Sequence, residues 1–345
     1  GAFLSTRTPH AALAPWAAAG AEPEPRRFAL SYAILAPNPH NRQPWLVDLS
    51  TPDTVILHRD LERDLPQTDP YARQLTIGLG CFLELMDLAA GAAGKRVQTA
   101  LYPDGEDGPV AVARFGAGGV EDPLFAHALA RRSCKEPFSE RAVGDAAAAA
   151  LAPYADIHRD PERVAALKDL IWRAFQIEMT TPRTLKESVD LMRFGKSEIN
   201  ARPDGIDLGG PFLESMMLLG VVSREAQLDP SSAGFQEGLR IYRETFAATP
   251  AFAAIRTQGA ARADQIAAGR LWLRLNLAAT AAGLALHPVS QALQEFPEMR
   301  AAREEAHALL AEPGETVQML GRLGYGPSTP QTPRWPLETR IVARG

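Results

Sequence analysis

A nine-residue segment contains the residue types best suited to hold a ligand. Residues 37–45 read Pro-Asn-Pro-His-Asn-Arg-Gln-Pro-Trp, and they follow a first amphipathic stretch and precede a strand-like run at 46–49. Prolines restrict the backbone, so the side-chain amides of Asn38, Asn41 and Gln43 can be held still and offered to the polar edge of a planar ring. An ordinary helix-to-strand turn can have the same composition. The segment therefore predicts a ligand loop, with a plain turn as the alternative.

A second string carries positive charge next to a hydroxyl. Arg131, Arg132 and Lys135 flank Ser133. This grouping suits a phosphate, because Arg can bind oxygens bidentately, Lys adds a point charge and Ser adds a hydroxyl donor. The alternative is a solvated helix end whose cations lie near the C-terminal dipole.

Two copies of a helix-then-strand unit organise the chain, at 73–116 and 267–324. Gly80 in the first copy matches Gly269 in the second, and another glycine follows 14 residues later in both. Glycine inside a helix costs about 1 kcal/mol relative to Ala. Glycines at matched positions therefore predict close approach of helix to helix or of helix to ligand. Duplication and fusion would explain the repeat, and chance similarity of two Ala- and Leu-rich helices is the alternative.

Composition narrows the class of protein. The 345 residues are 46% hydrophobic, so the chain can bury a large core in two domains or one large unit. The net charge of −5 gives no positive field for a nucleic-acid partner. No metal-ligand spacing or nucleophile motif is present. Cys81 and Cys134 lie far apart, and Cys81 is expected in the core rather than in a disulfide.

The sequence leaves the compartment open. No apolar run approaches the roughly 20 residues that span a bilayer, so no membrane span is predicted. The chain begins Gly1-Ala2-Phe3 without Met, which fits a processed end. Both a cytoplasmic location and export after removal of a targeting peptide are compatible with this.

Four strings together resemble the flavin-dependent nitroreductase superfamily, and especially its Acg-like branch, in which two nitroreductase-like halves are fused in one chain. The resemblance runs from about Phe28 to Ile341. It implies an α+β fold of two pseudo-symmetric halves, each a small, mostly antiparallel sheet packed by helices. The strings are the loop at 37–45, Arg-Arg-Ser-x-Lys-x-x-Phe at 131–138, Gly-Leu leading to Pro-Val-Ser-Gln at 283–291, and Thr-Pro-Arg-x-Pro-Leu-Glu at 332–338.

The resemblance also implies a domain organisation. Residues 1–27 form an N-terminal extension, residues 28–120 the first half and residues 121–345 the second half with a C-terminal tail. Residues 200–264 have no counterpart in the first half and are expected to form an insertion that acts as a lid or substrate wall. Because the interface between the halves is internal, a monomer is expected.

The resemblance implies one FMN per chain, with NAD(P)H as co-substrate. The first half lacks the Arg-x-Ser string and the second lacks the Asn-x-Gln-Pro-Trp loop, so one composite site is complete. The residues it implies are Arg131, Ser133, Lys135 and Arg334 around the phosphate; Pro37, Asn38, Pro39 and Asn41 at the flavin ring, with Gln43 supporting the loop; and Pro288, Val289, Ser290 and Gln291 beside the reactive ring nitrogen.

The leading functional prediction is ping-pong reduction of a nitroaromatic or quinone, a small-molecule electron acceptor, by NAD(P)H. FMN would carry the chemistry, so no catalytic side chain is assigned. His40 lies in the ring-facing loop, where a structural role and proton donation are both open. One alternative is an FMN-storage protein with little turnover. A second is a ligand-binding or scaffold protein that has lost flavin.

Overall fold

The computed structural model describes residues 6–343; residues 1–5 of the predicted N-terminal extension and residues 344–345 of the tail lie outside the described residues. The helices are α1 (His10–Ala18), α2 (Pro25–Ala33), α3 (Arg73–Ala92), α4 (Asp145–Leu151), α5 (Pro161–Thr180), α6 (Pro182–Asp190), α7 (Gly195–Ala201), α8 (Pro211–Leu218), α9 (Arg224–Leu228), α10 (Ala233–Ala247), α11 (Arg262–Ala281) and α12 (Arg300–Leu310). The strands are β1 (Trp45–Asp48), β2 (Thr54–Arg59), β3 (Lys95–Leu101), β4 (Ala111–Ala117), β5 (Asp156–His158), β6 (Met192–Phe194), β7 (Ile206–Leu208), β8 (Ala251–Thr257), β9 (Ala285–Pro288) and β10 (Thr316–Gly324).

Local sequence determines where several helices begin. α2 starts at a proline directly after Glu24, whose carboxylate accepts a hydrogen bond from Arg27 N at 3.0 Å. α5 starts in the same way after Asp160, whose carboxylate accepts from Arg163 N at 2.9 Å. Proline suits the first helical position because no intrahelical partner exists there for an N–H. The acidic cap then satisfies one of the free backbone donors.

Two four-stranded antiparallel sheets form the two halves. The first has the order β1-β2-β4-β3 and the second has the order β5-β8-β10-β9. α3 connects β2 to β3, and α11 connects β8 to β9, so each strand and central helix of one half has an equivalent in the other. A separate pair, β6 and β7, is parallel. The predicted α+β fold with two pseudo-symmetric halves is confirmed.

The two central helices, α3 and α11, cross with their backbones in contact. A Cβ placed on Gly80 would lie 2.3 Å from Ile266 O, and one placed on Gly269 would lie 2.0 Å from Ile77 O. Neither position has room for a side chain. The predicted close approach of helix to helix is therefore confirmed, while the duplication itself stays a prediction.

Helix α3 is the most apolar long element of the described residues. It has 20 residues, and an 18-residue stretch of it has a mean hydropathy of 1.5, so the helix is long and apolar enough to cross a bilayer; 89% of that stretch is buried inside the protein. The expectation that no apolar run approaches membrane-spanning length is therefore wrong for this helix. A core helix that is covered by protein on all sides can have the same length and composition, because it too needs an apolar surface around its whole circumference.

The predicted insertion contains elements of two kinds. Residues 251–257 form β8, which lies between β5 and β10 in the second sheet. Residues 206–247 carry β7 and the helices α8, α9 and α10 outside both four-stranded sheets. This 206–247 segment shares a small core with α6 and β6, formed by Leu185, Val189, Met192 and Phe235. Its role as a lid stays a prediction.

A buried charge cluster holds the start of the 206–247 segment against the first half and the tail. The carboxylate of Asp204 accepts hydrogen bonds from Arg63 Nη1 at 2.6 Å, from Arg193 Nη2 at 2.7 Å and from Trp335 Nε1 at 3.2 Å. These cations lower the pKa of Asp204, although burial alone would raise it. The cluster joins three parts of the chain that are distant in sequence.

Candidate functional site

One cavity brings together residues from both halves. Its volume is about 540 Å³, within the usual range of small-molecule sites. Of the residues implied by the resemblance, those lining the cavity are Pro37, Asn38, Pro39, Asn41, Arg131, Ser133, Lys135, Pro288, Ser290, Gln291 and Arg334. Gln43 and Val289 do not line it and lie behind its wall, where both are buried.

Two buried guanidinium groups lie at one end of the cavity. Arg131 donates to Leu35 O at 3.1 Å, and Arg334 donates to Ile34 O at 3.0 Å and to Leu35 O at 3.1 Å. Each is only 3% exposed, and neither forms an ion pair with a carboxylate of residues 6–343. Loss of solvation lowers the pKa of Arg131 to about 10 and that of Arg334 to about 9. Two uncompensated buried cations favour an anionic ligand.

One buried donor of this pair has no partner. Nε of Arg131 is covered by protein and makes no hydrogen bond to the described residues. Nη1 has a partner when the amide oxygen of Asn276 faces it, at 3.3 Å. Leaving a buried charged donor unpaired costs free energy. The guanidinium therefore has hydrogen-bonding capacity beyond what the fold uses.

The N-terminal extension covers this cationic end. Trp16 of α1 is 3% exposed, and its ring lies 5.0 Å from the Arg132 guanidinium and 5.7 Å from that of Arg334. Its indole N–H donates to Thr332 O at 2.7 Å. A tryptophan face attracts cations. The extension thus contributes a wall residue to a cavity whose predicted residues all belong to the two halves.

The cationic string lies in irregular structure. It follows a short 3-10 helix, Pro123–His127, and no α-helix ends there. The alternative interpretation, in which these cations lie at an α-helix C-terminus, is therefore wrong. The side chain of Lys135 is exposed and borders the cavity, together with that of Ser133.

One carboxylate of the 206–247 segment faces these cations. Asp207 of β7 borders the cavity. Its side chain is exposed to the cavity, and protein encloses it on the other sides. This enclosure raises the pKa of Asp207, while the charges of Lys135 and Arg334 act in the opposite direction. Four cations and one carboxylate leave this end of the cavity net positive.

The ligand loop has an unusual backbone. His40, Asn41 and Gln43 have φ angles of 49°, 49° and 52°, in the left-handed region that side chains other than glycine seldom adopt. The segment Pro39–Asn41 forms one 3-10 turn. Such conformations persist where the surroundings impose them.

The loop amides are used to hold the loop itself. Asn38 Oδ1 accepts from Gln43 N at 2.7 Å, and its amide N–H donates to Ala36 O at 3.2 Å. Asn41 donates to Pro333 O at 2.9 Å and accepts from Arg334 Nη1 at 2.8 Å. The side chain of Gln43 donates to residue 203 at 2.8 Å and accepts from the backbone N of residue 335 at 2.8 Å. The amide atoms that were expected to face a ligand are therefore already partnered by protein.

Helix α3 supports the loop through a glycine. A Cβ on Gly78 would lie 3.0 Å from Asn38 Cβ and 3.1 Å from Pro39 Cδ. The absence of a side chain lets the loop lie directly on the helix. Gly78 lies within α3, so the close approach of the loop explains why this helical position carries no side chain.

The segment 288–291 continues from β9 along the cavity. Val289 N donates to Leu320 O at 2.9 Å, which directs the valine side chain into the core of the second half. The Ser290 hydroxyl lies 3.4 Å from Leu320 O and 3.6 Å from Met319 Sδ, and Ser290 O accepts from Gln74 at 3.2 Å. Oε1 of Gln291 is buried and has no partner among the described residues.

A polar cluster lies beside the ligand loop. His40 Nε2 lies 3.9 Å from Glu178 Oε1, and Glu178 also accepts from Ser188 at 3.3 Å and from Gln294 at 2.9 Å. Glu178 is buried, with 4% of its surface exposed. All four residues border the cavity. No motif indicated this cluster, because three of its members belong to helices and turns outside the four strings.

The remaining wall is apolar and comes mainly from the 206–247 segment and α5. Aromatic and aliphatic side chains there can exclude water and contact a flat apolar ligand. They are Phe175, Met179, Met192, Leu208, Phe212, Leu213, Met216, Val221, Val222, Phe235, Leu239, Ile241 and Tyr242. The cavity therefore combines a cationic end, a rigid polar loop and an apolar wall.

Comparison with known proteins shows that the chain is similar over most of its length to proteins named as putative NAD(P)H nitroreductases. No protein-family model matches the chain. The recognition of a relative of the Acg-like nitroreductases from four motifs is nevertheless confirmed by two individual relatives.

The first of these relatives is the protein named "Putative NAD(P)H nitroreductase acg" from Mycobacterium tuberculosis, which is 26% identical over 329 residues, 90% of this chain and 93% of that protein. The second, "Putative NAD(P)H nitroreductase Rv3131" from the same organism, is 25% identical and covers 89% of this chain and 88% of its own length. Among solved structures, the FMN-dependent nitroreductase NfnB from Mycobacterium smegmatis in complex with NADPH covers 61% of this chain and 92% of its own, at 16% identity and a TM-score of 0.38. A TM-score this low adds no argument about the chain.

Several cavity residues were not predicted. Trp16, Asp207 and Glu178 stand in sequence contexts without any motif, and only the folded chain brings them to the cavity. His287 is different, because it directly precedes the Pro-Val-Ser-Gln string. Its position beside a predicted ring-facing segment was a signal that could have identified it.

Proposed function

We propose that the chain is an FMN-binding oxidoreductase that uses NAD(P)H to reduce a nitroaromatic or a quinone in two successive half-reactions. The observation that carries this proposal is the buried pair Arg131 and Arg334, which has no carboxylate partner among residues 6–343 and lies at one end of a cavity with an apolar wall. A phosphate would neutralise this pair through charge-assisted hydrogen bonds. Similarity to proteins named as NAD(P)H nitroreductases supports the same class.

The residues of the cavity fit FMN in charge and polarity. Arg131 retains an unpartnered buried donor, and Ser133 and Lys135 border the same end. The apolar wall and the rigid 37–41 loop suit a flat ring that is polar at one edge. Since each set of residues is present once in the cavity, we propose one FMN per chain.

Bound FMN would supply hydride transfer between the nicotinamide and the acceptor. The chain would then bind the phosphate with Arg131, Lys135 and Arg334, orient the ring with the 37–41 loop and segment 288–291, and limit the access of water with the 206–247 segment. No side chain has to act as a nucleophile. A chain that only binds and orients the cofactor needs hydrogen-bond donors, prolines and apolar groups, and these are the groups that line the cavity.

Loss of FMN affinity on removal of two cations tests the phosphate assignment. The Arg131→Ala, Lys135→Ala double variant removes two charged donors, and hydrogen bonds to charged groups contribute about 1.5–3 kcal/mol each. The dissociation constant of FMN, measured by quenching of flavin fluorescence, should rise at least about 100-fold. Arg300→Ala with Lys186→Ala is the control, because both side chains are exposed cations and neither lines the cavity.

The double variant removes the buried Arg131 and could misfold for that reason. The single variant Lys135→Ala avoids this problem, since the side chain of Lys135 is exposed. It should weaken FMN binding about 10-fold or more. Wild-type affinity in both Lys135→Ala and the double variant would contradict the assignment.

Turnover is tested separately by anaerobic stopped-flow mixing of FMN-loaded protein with NADH or NADPH. Rapid, complete loss of the oxidised-flavin absorption, followed by recovery on mixing with a quinone, would support the oxidoreductase. FMN binding without reduction by either nicotinamide would instead support the storage function. Failure of the wild-type protein to bind FMN would refute both.

We also propose that the chain is a monomer, because α3 and α11 already bury the surface through which two halves would associate. Sedimentation should give the mass of one chain, 37.2 kDa. A stable species of twice that mass would contradict this proposal.

A further inference from the structure

A fully buried arginine fixes the hydrogen-bonding state of a histidine at the cavity. Arg322 on β10 is 0% exposed and directly faces His287 on β9 in the antiparallel register. Arg322 Nη1 lies 2.9 Å from His287 Nδ1. The same guanidinium donates to Thr249 Oγ1 at 2.7 Å and to Ala248 O at 3.1 Å. Its orientation is therefore set by several bonds and not by the histidine alone.

The chemistry of the pair determines the tautomer. A guanidinium has only donors, so Nδ1 of His287 must accept and cannot carry a proton. The neutral imidazole then carries its proton on Nε2. Which ring nitrogen is protonated thus follows from the partner of the other nitrogen.

The opposite side of the ring faces the cavity. His287 is 5% exposed and borders the cavity close to Lys135. Nothing in residues 6–343 accepts a hydrogen bond from Nε2. A nearly buried side chain therefore presents an unused N–H donor at the cavity wall.

The surroundings keep this imidazole neutral. Burial and the positive charges of Arg322 and Lys135 lower the pKa of His287 well below 6.5. Cys134 is the other titratable group beside Arg322, and burial raises the pKa of its thiol, so no thiolate is present to favour an imidazolium. The donor consequently persists unchanged across the pH range in which an ordinary histidine changes its charge.

We propose that the His287 Nε2–H group is a permanent hydrogen-bond donor to an acceptor oxygen of the bound flavin nucleotide, and that Arg322 is its positioning residue. This inference rests on the proposed FMN site. The acceptor oxygen belongs either to the phosphate or to the flavin and its ribityl chain. Neither residue was singled out by the motifs.

Nuclear magnetic resonance of the flavin-free protein tests the tautomer without any activity. Long-range ¹H–¹⁵N correlation spectra of protein labelled in its 7 histidines identify the state of each ring, and His287→Gln assigns the His287 signals. We expect the neutral Nε2–H form with no change from about pH 5.5 to 8, a range spanning the ordinary histidine pKa. In Arg322→Met, which removes the donor to Nδ1, the fixed preference for the Nε2–H tautomer should be lost, and the two ring-nitrogen shifts should move towards those of a tautomer mixture. A wild-type Nδ1–H form, or an imidazolium near pH 6, would overturn the proposal.

Flavin binding tests the contact itself. His287→Phe keeps a ring but removes the donor, and it should weaken FMN binding about 3- to 10-fold, the effect of one neutral hydrogen bond. His158→Phe is the control, because His158 lies in a separate surface groove. If riboflavin, which lacks the phosphate, loses affinity equally, the acceptor is on the ring or ribityl chain; if only FMN loses affinity, it is on the phosphate.

Unchanged affinity of His287→Phe for both flavins would overturn the contact. This failure of the proposed His287 contact can be distinguished from failure of the proposed FMN site. Failure of wild-type protein to bind either flavin would refute the FMN site, whereas the tautomer of His287 is measured in its absence.

Discussion

Replacement of Gly269 by Ala should destabilise the protein through the crossing of α3 and α11. The new Cβ would lie 2.0 Å from Ile77 O, 2.8 Å from Gly80 Cα and 2.9 Å from Cys81 N. All three neighbours are backbone atoms, so no side-chain rotation can relieve the overlap and the helices must separate.

The magnitude follows from two opposing effects. Alanine is favoured over glycine inside a helix by about 1 kcal/mol. Overpacking of a well-packed core costs about 1–3 kcal/mol and sometimes more, and contact with fixed backbone places this site at the upper end. We expect a net loss of about 2 kcal/mol, which corresponds to a fall in Tm of roughly 4–8 °C at the scale of mid-sized domains.

Gly238→Ala is the matched control, since Gly238 also lies inside a helix, α10, and a Cβ there would meet nothing within 4 Å. Its Tm should rise slightly or stay unchanged. Thermal unfolding followed by circular dichroism compares the two variants. If Gly269→Ala were as stable as the wild type, or if both variants lost the same stability, the steric argument would fail.

Three further predictions concern other parts of the structure. Asp204→Asn leaves Arg193 without a buried counter-charge and removes one of the two carboxylates that pair with Arg63, so it should cost about 3–5 kcal/mol and speed proteolysis within 206–247; wild-type Tm and cleavage rate would contradict this. His287 has a pKa well below 6.5 when folded, so the unfolded chain binds an extra proton as the pH falls through 6.5 and stability is lost there. The free energy of unfolding should fall more steeply below that pH in the wild type than in His287→Gln, by up to about 1.4 kcal/mol per pH unit, and equal slopes would refute it. Burial raises the pKa of Cys81 to about 12, so iodoacetamide at pH 8 should alkylate it only after unfolding; rapid labelling of native protein would show the thiol to be accessible.

The sequence predicted those features whose evidence lies within one short segment. The four strings marked the cationic end of the cavity, the ligand loop and the segment 288–291, but not the apolar wall, and the matched glycines predicted the helix crossing. Both rest on local patterns: a run of polar and proline residues in one case, and a glycine inside an apolar helix in the other. The α+β class followed from the same strings through their family resemblance.

The use of the loop amides could not be predicted in this way. Asn41 and Gln43 bond to residues 203 and 333–335, so their availability depends on contacts between distant segments. The same holds for Asp207 and Glu178, which reach the cavity only because the 206–247 segment and α5 pack over it. Membrane-spanning length in α3 was missed because Glu84 and Asp87 interrupt the apolar run, and these charges are paired with Arg270 of α11.

The hydrogen bonds between the ligand loop and the tail determine how early during synthesis the loop can reach its folded form. Trp335 N, which donates to Gln43, lies 292 residues after it in the chain. At 5–20 residues per second, the ribosome adds these residues in roughly 15–60 s. Throughout that interval the left-handed backbone at 40–43 lacks the hydrogen bonds that residues 333–335 supply. A nascent chain therefore cannot complete the contacts of its ligand loop before residues 333–335 have been made.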